Sequence, residues 1–205
     1  MCPVTTKKRL QDVARTLFNT RGYTNVTLRE IAIEAGTTIG NLTYHFPRKE
    51  ALLLEIQHEL YTDFLRMTVE ERDGRDLIEV LAKSLKQIQA NRTDNAFFYT
   101  NIVELSHDSP AIASSVEEFR RRVYSFYLQL FDALKDRGMA RQEVTDEQYR
   151  TLSYTLVSMA YMWMQNTTIY HDQAIPRVEL ADAMRDLTLP HLTQQGREAF
   201  AKALA

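Results

Sequence analysis

Thr38, Gly40, Asn41, Thr43, Tyr44 and His45 crowd hydrogen-bonding or small side chains into eight consecutive positions. Such a surface can approach the edges of bases. The Asn41 amide can pair with an adenine edge, and Thr38 and Thr43 can touch bases or a thymine methyl. Tyr44 and His45 suit phosphate or sugar contacts. Arg29, Lys49 and the Thr27 hydroxyl are spaced to clamp the backbone on either side of a groove. For Thr27 a role as helix cap alone fits equally well, as does simple packing for His45.

Two short helices joined by a tight turn would position these groups, the helix-turn-helix arrangement whose second helix enters the major groove of DNA. Thr27 and Glu30 form a capping-box pattern. Leu28, Ile31, Ala32 and Ala35 follow at helical spacing and give one apolar face. Gly36 suits a left-handed residue at the helix end. Thr37 or Thr38 can cap the next helix, whose Ile39, Leu42 and Phe46 are expected on the core side. Pro47 ends it by pushing the preceding residue out of the helical region. An amphipathic helix over residues 5–20 precedes the pair, with Leu10, Val13, Ala14, Leu17 and Phe18 in one stripe.

These residues are similar to the amino-terminal DNA-binding domain of the tetracycline-repressor (TetR) family. The resemblance rests on Arg21-Gly22-Tyr23, Thr27-Leu28-Arg29-Glu30-Ile31-Ala32, Ala35-Gly36, Gly40-Asn41-Leu42-Thr43-Tyr44-His45-Phe46 and Lys49-Glu50-Ala51-Leu52. It implies a dimeric, effector-responsive transcriptional regulator, usually a repressor, bound to an inverted-repeat operator in double-stranded DNA. Two positions depart from the pattern. Thr43 stands where a backbone-contacting tyrosine is usual, which shortens that contact or moves it to Tyr44. Ile39 stands where a polar or basic residue is common, which makes base reading there apolar or absent.

The chain has 205 residues, 44% of them hydrophobic, enough for a sizeable core. Six glycines and five prolines are few, and no alternating β-branched runs occur, so the expected class is all-α. The expected organisation is a three-helix head at residues 1–50 and a larger helical effector-binding and dimerisation body at residues 51–205. No apolar run approaches the ~18 residues that span a bilayer, and the first residues lack a signal-peptide pattern. Cys2, the single cysteine, excludes an internal disulfide and fits a reducing cytoplasm. The net charge of −2 divides unevenly: residues 1–50 carry +4 and the remainder −6. A basic pole on an acidic body suits a DNA reader.

A fourth helix is expected from about Arg48 to Arg72, joining head to body and ended by the polar stretch around Gly74. Helices follow near 76–91 and 95–107. A long one begins at Ser109-Pro110 and stops at Gly138. Another starts at Thr145, with Gln148 completing a capping box, and runs to about Tyr170. The last begins near Pro176 and is bent or broken at Pro190 and Gly196.

Residues 96–170 hold 13 of the 20 aromatic residues, together with Met159, Met162 and Met164. One reading is a cavity for a mainly apolar or aromatic effector, lined by Phe98, Tyr124, Tyr127, Tyr154 and Met162, with Glu104 orienting the ligand. The other is an ordinary core plus a helical dimer interface. Because the resemblance implies that the last two long helices pair across a two-fold axis, Leu152, Leu156, Met159, Trp163, Met184 and Leu187 are interface candidates. The scattered histidines have no ligand-spaced partners, and no phosphate loop or triad spacing occurs, so neither enzyme, metal nor cofactor is expected. Arg120-Arg121-Arg122 reads as a solvated face. The rival reading is a helical small-molecule-binding protein or enzyme whose helix-turn-helix pattern is incidental.

Overall fold

Thr5 starts the first helix, α1 (Thr6–Arg21), by accepting from the Lys8 amide, and Gly22 at φ 80° ends it. This computed structural model describes residues 5–70, 76–169 and 178–204. Helices α2 (Leu28–Glu34) and α3 (Ile39–His45) cross α1 and enclose Leu10, Ala14, Phe18, Ile31, Leu42 and Phe46. Then α4 (Lys49–Glu70) leads into the body. The fold is all-α, and among the described residues no strand occurs.

Helix α5 (Leu77–Asp94) is the body's axis, in contact with α4, α8, α9, α10 and α11. The segment expected as one helix at 95–107 is two, α6 (Ala96–Thr100) and α7 (Ile102–Asp108), separated at Asn101. There the Asn101 amide donates to the Phe97 carbonyl at 2.7 Å, a side-chain bond that competes with helix continuation. Ser109 caps α8 (Pro110–Asp136), with proline in the first turn, where its missing N–H costs nothing. Gly138 at φ 69° turns the chain. The Thr145–Gln148 capping box opens α9 (Asp146–Ile169), with Thr145 N–H donating to Gln148 Oε1 at 2.8 Å.

After α10 (Leu180–Thr188) a 3₁₀ turn at Leu189–His191 carries the expected break at Pro190, and α11 (Gln194–Leu204) packs under α5. Gly196 does not break this helix. It lies within α11, buried, where an added Cβ would sit 2.1 Å from the Met139 carbonyl oxygen, so glycine is required by close approach. Expected features at Gly74, Tyr170 and Pro176 lie outside the described residues. Among the described residues no helix is long and apolar enough to cross a membrane.

Candidate nucleic-acid interface and interior site

The α2–turn–α3 unit is held by bonds between near neighbours. Thr27 N–H donates to Glu30 Oε2 at 2.8 Å, and Glu30 N–H returns to Thr27 Oγ1 at 3.2 Å. Gly36 takes φ 62° after the Ala35 cap. Of the two possible caps for α3, Thr38 accepts from the Asn41 amide N–H, while Thr37 Oγ1 receives Asn41 Nδ2 at 2.8 Å. Thr43 Oγ1 donates to the Ile39 carbonyl at 3.0 Å. The reading face is therefore preset by its own short-range bonds.

Outward on α3 lie Thr38, Gly40, Thr43 and Tyr44, the last 82% exposed. Asn41 and His45 are half-buried, His45 with its ring centroid 5.2 Å from Tyr44 and 6.4 Å from Phe46. Ile39 does not join the core as expected: it is 44% exposed. Helical side chains lean toward the N-terminus, so a first-turn residue overhangs the packed end of a seven-residue helix. The exposed Ile33 at the end of α2 was not anticipated; its signal is that it falls outside the 28-31-32-35 stripe.

Lys49 is committed mainly to structure. Its ammonium donates to the Tyr23 and Val26 carbonyls at 2.7 and 2.9 Å and sits 4.2 Å from the Tyr23 ring centre, and burial lowers its pKa. One N–H remains for a phosphate. Several cations of α1 are paired with α4 instead. Lys7 pairs with Glu55 at 2.5 Å, and Glu59 receives both Lys8 and Arg15 Nη2, the latter at 3.0 Å. Arg9, Arg29 and Arg48 are exposed and, among the described residues, have no carboxylate partner.

Head and body are joined at more places than α4. Asn19 Nδ2 donates to the Asp94 carbonyl at 2.7 Å, and Phe97 N–H donates to Asn19 Oδ1 at 3.1 Å. Beside this clasp the Phe18 and Phe97 rings lie 5.1 Å apart. Ser109, the α8 cap, also donates to Glu50 in the first turn of α4.

In the body, of the expected lining residues, Tyr124 and Tyr154 border one cleft of about 210 Å³ between α8 and α9, and the others are not gathered there. Phe98 and Tyr127 are buried in the core, and Tyr124 is half-buried. Tyr154 is 61% exposed, and Met162 and Glu104 are also exposed. The enclosed space lies instead between α4, α5, α8 and α9. It measures about 10 Å³ and is bordered by Phe64, Phe119 and Val123 on one side and Asn91, Arg92 and Tyr161 on the other. Arg92 is 4% exposed and donates through Nε to the Ala160 carbonyl. Sequence reading passed over it because arginine in a helix is usually solvated. Its signal was position, since Leu81, Leu85, Ile88 and Arg92 share one stripe of α5.

Of the interface candidates, Leu152, Leu156 and Met184 lie in the chain's own core. Met159 and Trp163 are half-buried, and Leu187 is exposed. Arg121 and Arg122 pair with Glu117 and Glu118 on the outer face of α8. The Ser106-His107-Asp108 run is a helix end, with His107 Nδ1 3.3 Å from Asp108 in an exposed pair.

Two family profiles match the chain. One, described as "Bacterial regulatory proteins, tetR family", matches residues 10–56; the other, "Bacterial transcriptional repressor", matches residues 60–200. The repressor KstR2 of Rhodococcus jostii is 31% identical over 104 residues, 48% of this chain and 51% of that protein. The chain thus spans about half the length of that curated relative. The regulator SAB2452 of Staphylococcus aureus is 27% identical over 63% of this chain and 69% of its own. Among solved structures, a TetR-family regulator from Marinobacter aquaeolei superposes with a TM-score of 0.81 at 23% identity, covering 97% of both chains. A transcriptional regulator from Saccharomonospora viridis, described as a complex with choline, gives 0.74 at 20% identity over 92% of this chain and 98% of that one.

Proposed function

This chain belongs to the tetR family of bacterial regulatory proteins, and on that premise we propose that it is a cytoplasmic, dimeric transcriptional repressor released from DNA by a small molecule. Residues 1–50 are the reading head and residues 51–205 the effector and dimer body. One observation carries the reading. The second helix of a self-capped pair presents Thr38, Gly40, Thr43 and Tyr44 outward, with Arg29 and Arg48, exposed and without a carboxylate partner among the described residues, on the same head. Two such helices in a dimer reach successive major grooves about 34 Å apart, so the operator is an inverted repeat. The dimer face is the exposed side of α9 and α10, where Tyr154, Met162 and Leu187 are apolar and open. A structural relative's choline complex supports a small-molecule effector for this fold.

Coupling needs an effector that prefers one conformation, because a ligand with equal affinity for both shifts nothing. Helix α4, the Asn19 clasp and the Ser109–Glu50 bond are routes from body to head.

The test is a mobility shift with genomic DNA flanking the protein's own gene. Asn41→Ala is expected to weaken one operator by about 1–3 kcal/mol and leave random DNA nearly unchanged. Arg29→Ala should weaken both alike, since phosphates carry no sequence. Absence of any preferred fragment would sink the proposal.

A further inference from the structure

We infer that the space between α4, α5, α8 and α9 recognises a small carboxylate with an apolar body, held by the Arg92 guanidinium. The inference rests on the regulator reading and names the class of its effector.

Arg92 is a buried cation for which, among the described residues, no carboxylate lies within ion-pair distance. Its compensation is partial. Nε reaches a backbone carbonyl, and the guanidinium carbon lies 3.7 Å from the Tyr99 ring centre and 5.2 Å from that of Tyr161. A buried charge held this way is costly unless an anion completes it. The buried Tyr99 hydroxyl lies beside the guanidinium and the buried Tyr161 hydroxyl faces that of Tyr61. Arg92 and Tyr161 both border the space, and a carboxylate accepts from a guanidinium in bidentate fashion.

Charge and shape narrow the class. Arg92 is the cation that borders the space; Arg120 approaches the Tyr161 ring, 5.6 Å from its centre, but is exposed. A monoanion balances one buried charge, whereas a phosphate dianion would leave a buried negative excess. Phe64, Ile88, Phe119, Val123 and Val157 supply apolar walls. The space as it stands holds at most a single water molecule. However, Phe119 also borders a cleft of about 180 Å³ between α4 and α8. Its ring stacks on Tyr61 with centroids 3.7 Å apart and planes 3° from parallel. Turning Phe119 joins the two volumes and admits a single-ring or short-chain acid. An acid seated there would push on Phe64 of α4, and by drawing Arg92 from Tyr99 would loosen the α5–α6 corner that grips Asn19.

The experiment uses the full-length protein, with phenylacetate against phenylacetamide and hexanoate against hexanamide. Within each pair the members share size and differ in charge. Melting temperature should rise with the logarithm of acid concentration above the dissociation constant, and the amides should bind at least tenfold more weakly. Arg92→Gln should bind acid and amide alike, and Tyr161→Phe, which keeps the ring, should weaken the acids several-fold. Equal binding of acid and amide by the unaltered protein, no rise with either acid, or an acid preference that survives in Arg92→Gln would overturn the inference. If Arg92→Gln does not fold, the wild-type pairs and Tyr161→Phe decide. Operator binding is measured separately without ligand. A retained operator without acid preference rejects this inference alone, and acid preference without any operator rejects the regulator reading alone.

Discussion

The head and the body dispose of their polar groups in opposite ways. In the head, hydroxyls and amides close on the backbone within a turn or two: Thr5 on Lys8, Thr27 with Glu30, Thr38 and Thr37 on Asn41, Thr43 on Ile39. Between α2 and α3 this leaves a small unit whose reading face needs no partner to take shape. In the body more polar atoms are buried away from any such near neighbour, Gln57 Oε1, Asn95 Oδ1 and the hydroxyls of Ser153 and Ser158 among them, against Arg15 Nε in the head. The head is set by bonds between near neighbours and the body by packing between distant ones.

The contrast can be broken at its tightest point. The body is loose around Arg92 but not at α11, where Gly196 admits no Cβ against the Met139 carbonyl. Gly196→Ala should lower stability by about 3 kcal/mol or more in urea unfolding, since backbone must shift to accept the methyl. An unchanged midpoint would mean that this end yields as readily as the interior. The clasp between the two regions gives the next effect. Asn19→Ala removes a donor and an acceptor bonded to backbone at 2.7 and 3.1 Å, at a cost of about 1–2 kcal/mol. More tellingly, it should reduce ligand-driven DNA release without changing ligand affinity, whereas an unaltered release curve would assign transmission to α4 and the Ser109–Glu50 bond.

The smallest effect lies where α1 meets α4. Burial raises the Glu59 pKa, but its contacts with Lys8 and Arg15 outweigh that and hold it below the ordinary carboxylate value of 4.5. A lowered folded-state pKa contributes stability above the unfolded value and loses it as pH falls through the folded one. Glu59→Gln should therefore differ from the unaltered protein by less than about 1 kcal/mol at pH 7, with the gap closing below pH 4.5. A gap that persists into stronger acid would show that packing, and not charge, joins these helices.

Much of the head was legible because its signals are local. A capping box, a glycine at a helix end and a proline after one report on residues within four positions of themselves, and each appears where the spacing put it. The helix starts at Ser109 and Thr145 were legible for the same reason. The body was read less well because its decisive contacts are long-range. Gly196 looks like a helix break until Met139, 57 positions earlier, is found against it. The dense apolar surface of α9 gave no hint of which side met the core; Tyr154 and Met162 faced out while Tyr161 turned toward Arg92. Ile39 shows the limit even in the head, since periodicity assigned it a face but not the end of the packed area.

The paired cations of α1 have a further consequence. Lys7, Lys8 and Arg15 already have counter-charges in Glu55 and Glu59, so they bring few condensed ions off the phosphates when the head meets a duplex. The ionic-strength dependence of association is set by Arg9, Arg29 and Arg48 and whatever Lys49 can spare, not by every basic residue of the first fifty. With a slope of about −0.9 per neutralised phosphate, three or four free cations on each of two heads should give a log–log salt slope of about −5 to −7, roughly half of what every basic residue of both heads would give. The helix that looks most like a phosphate anchor serves instead to fasten the reader to its lever.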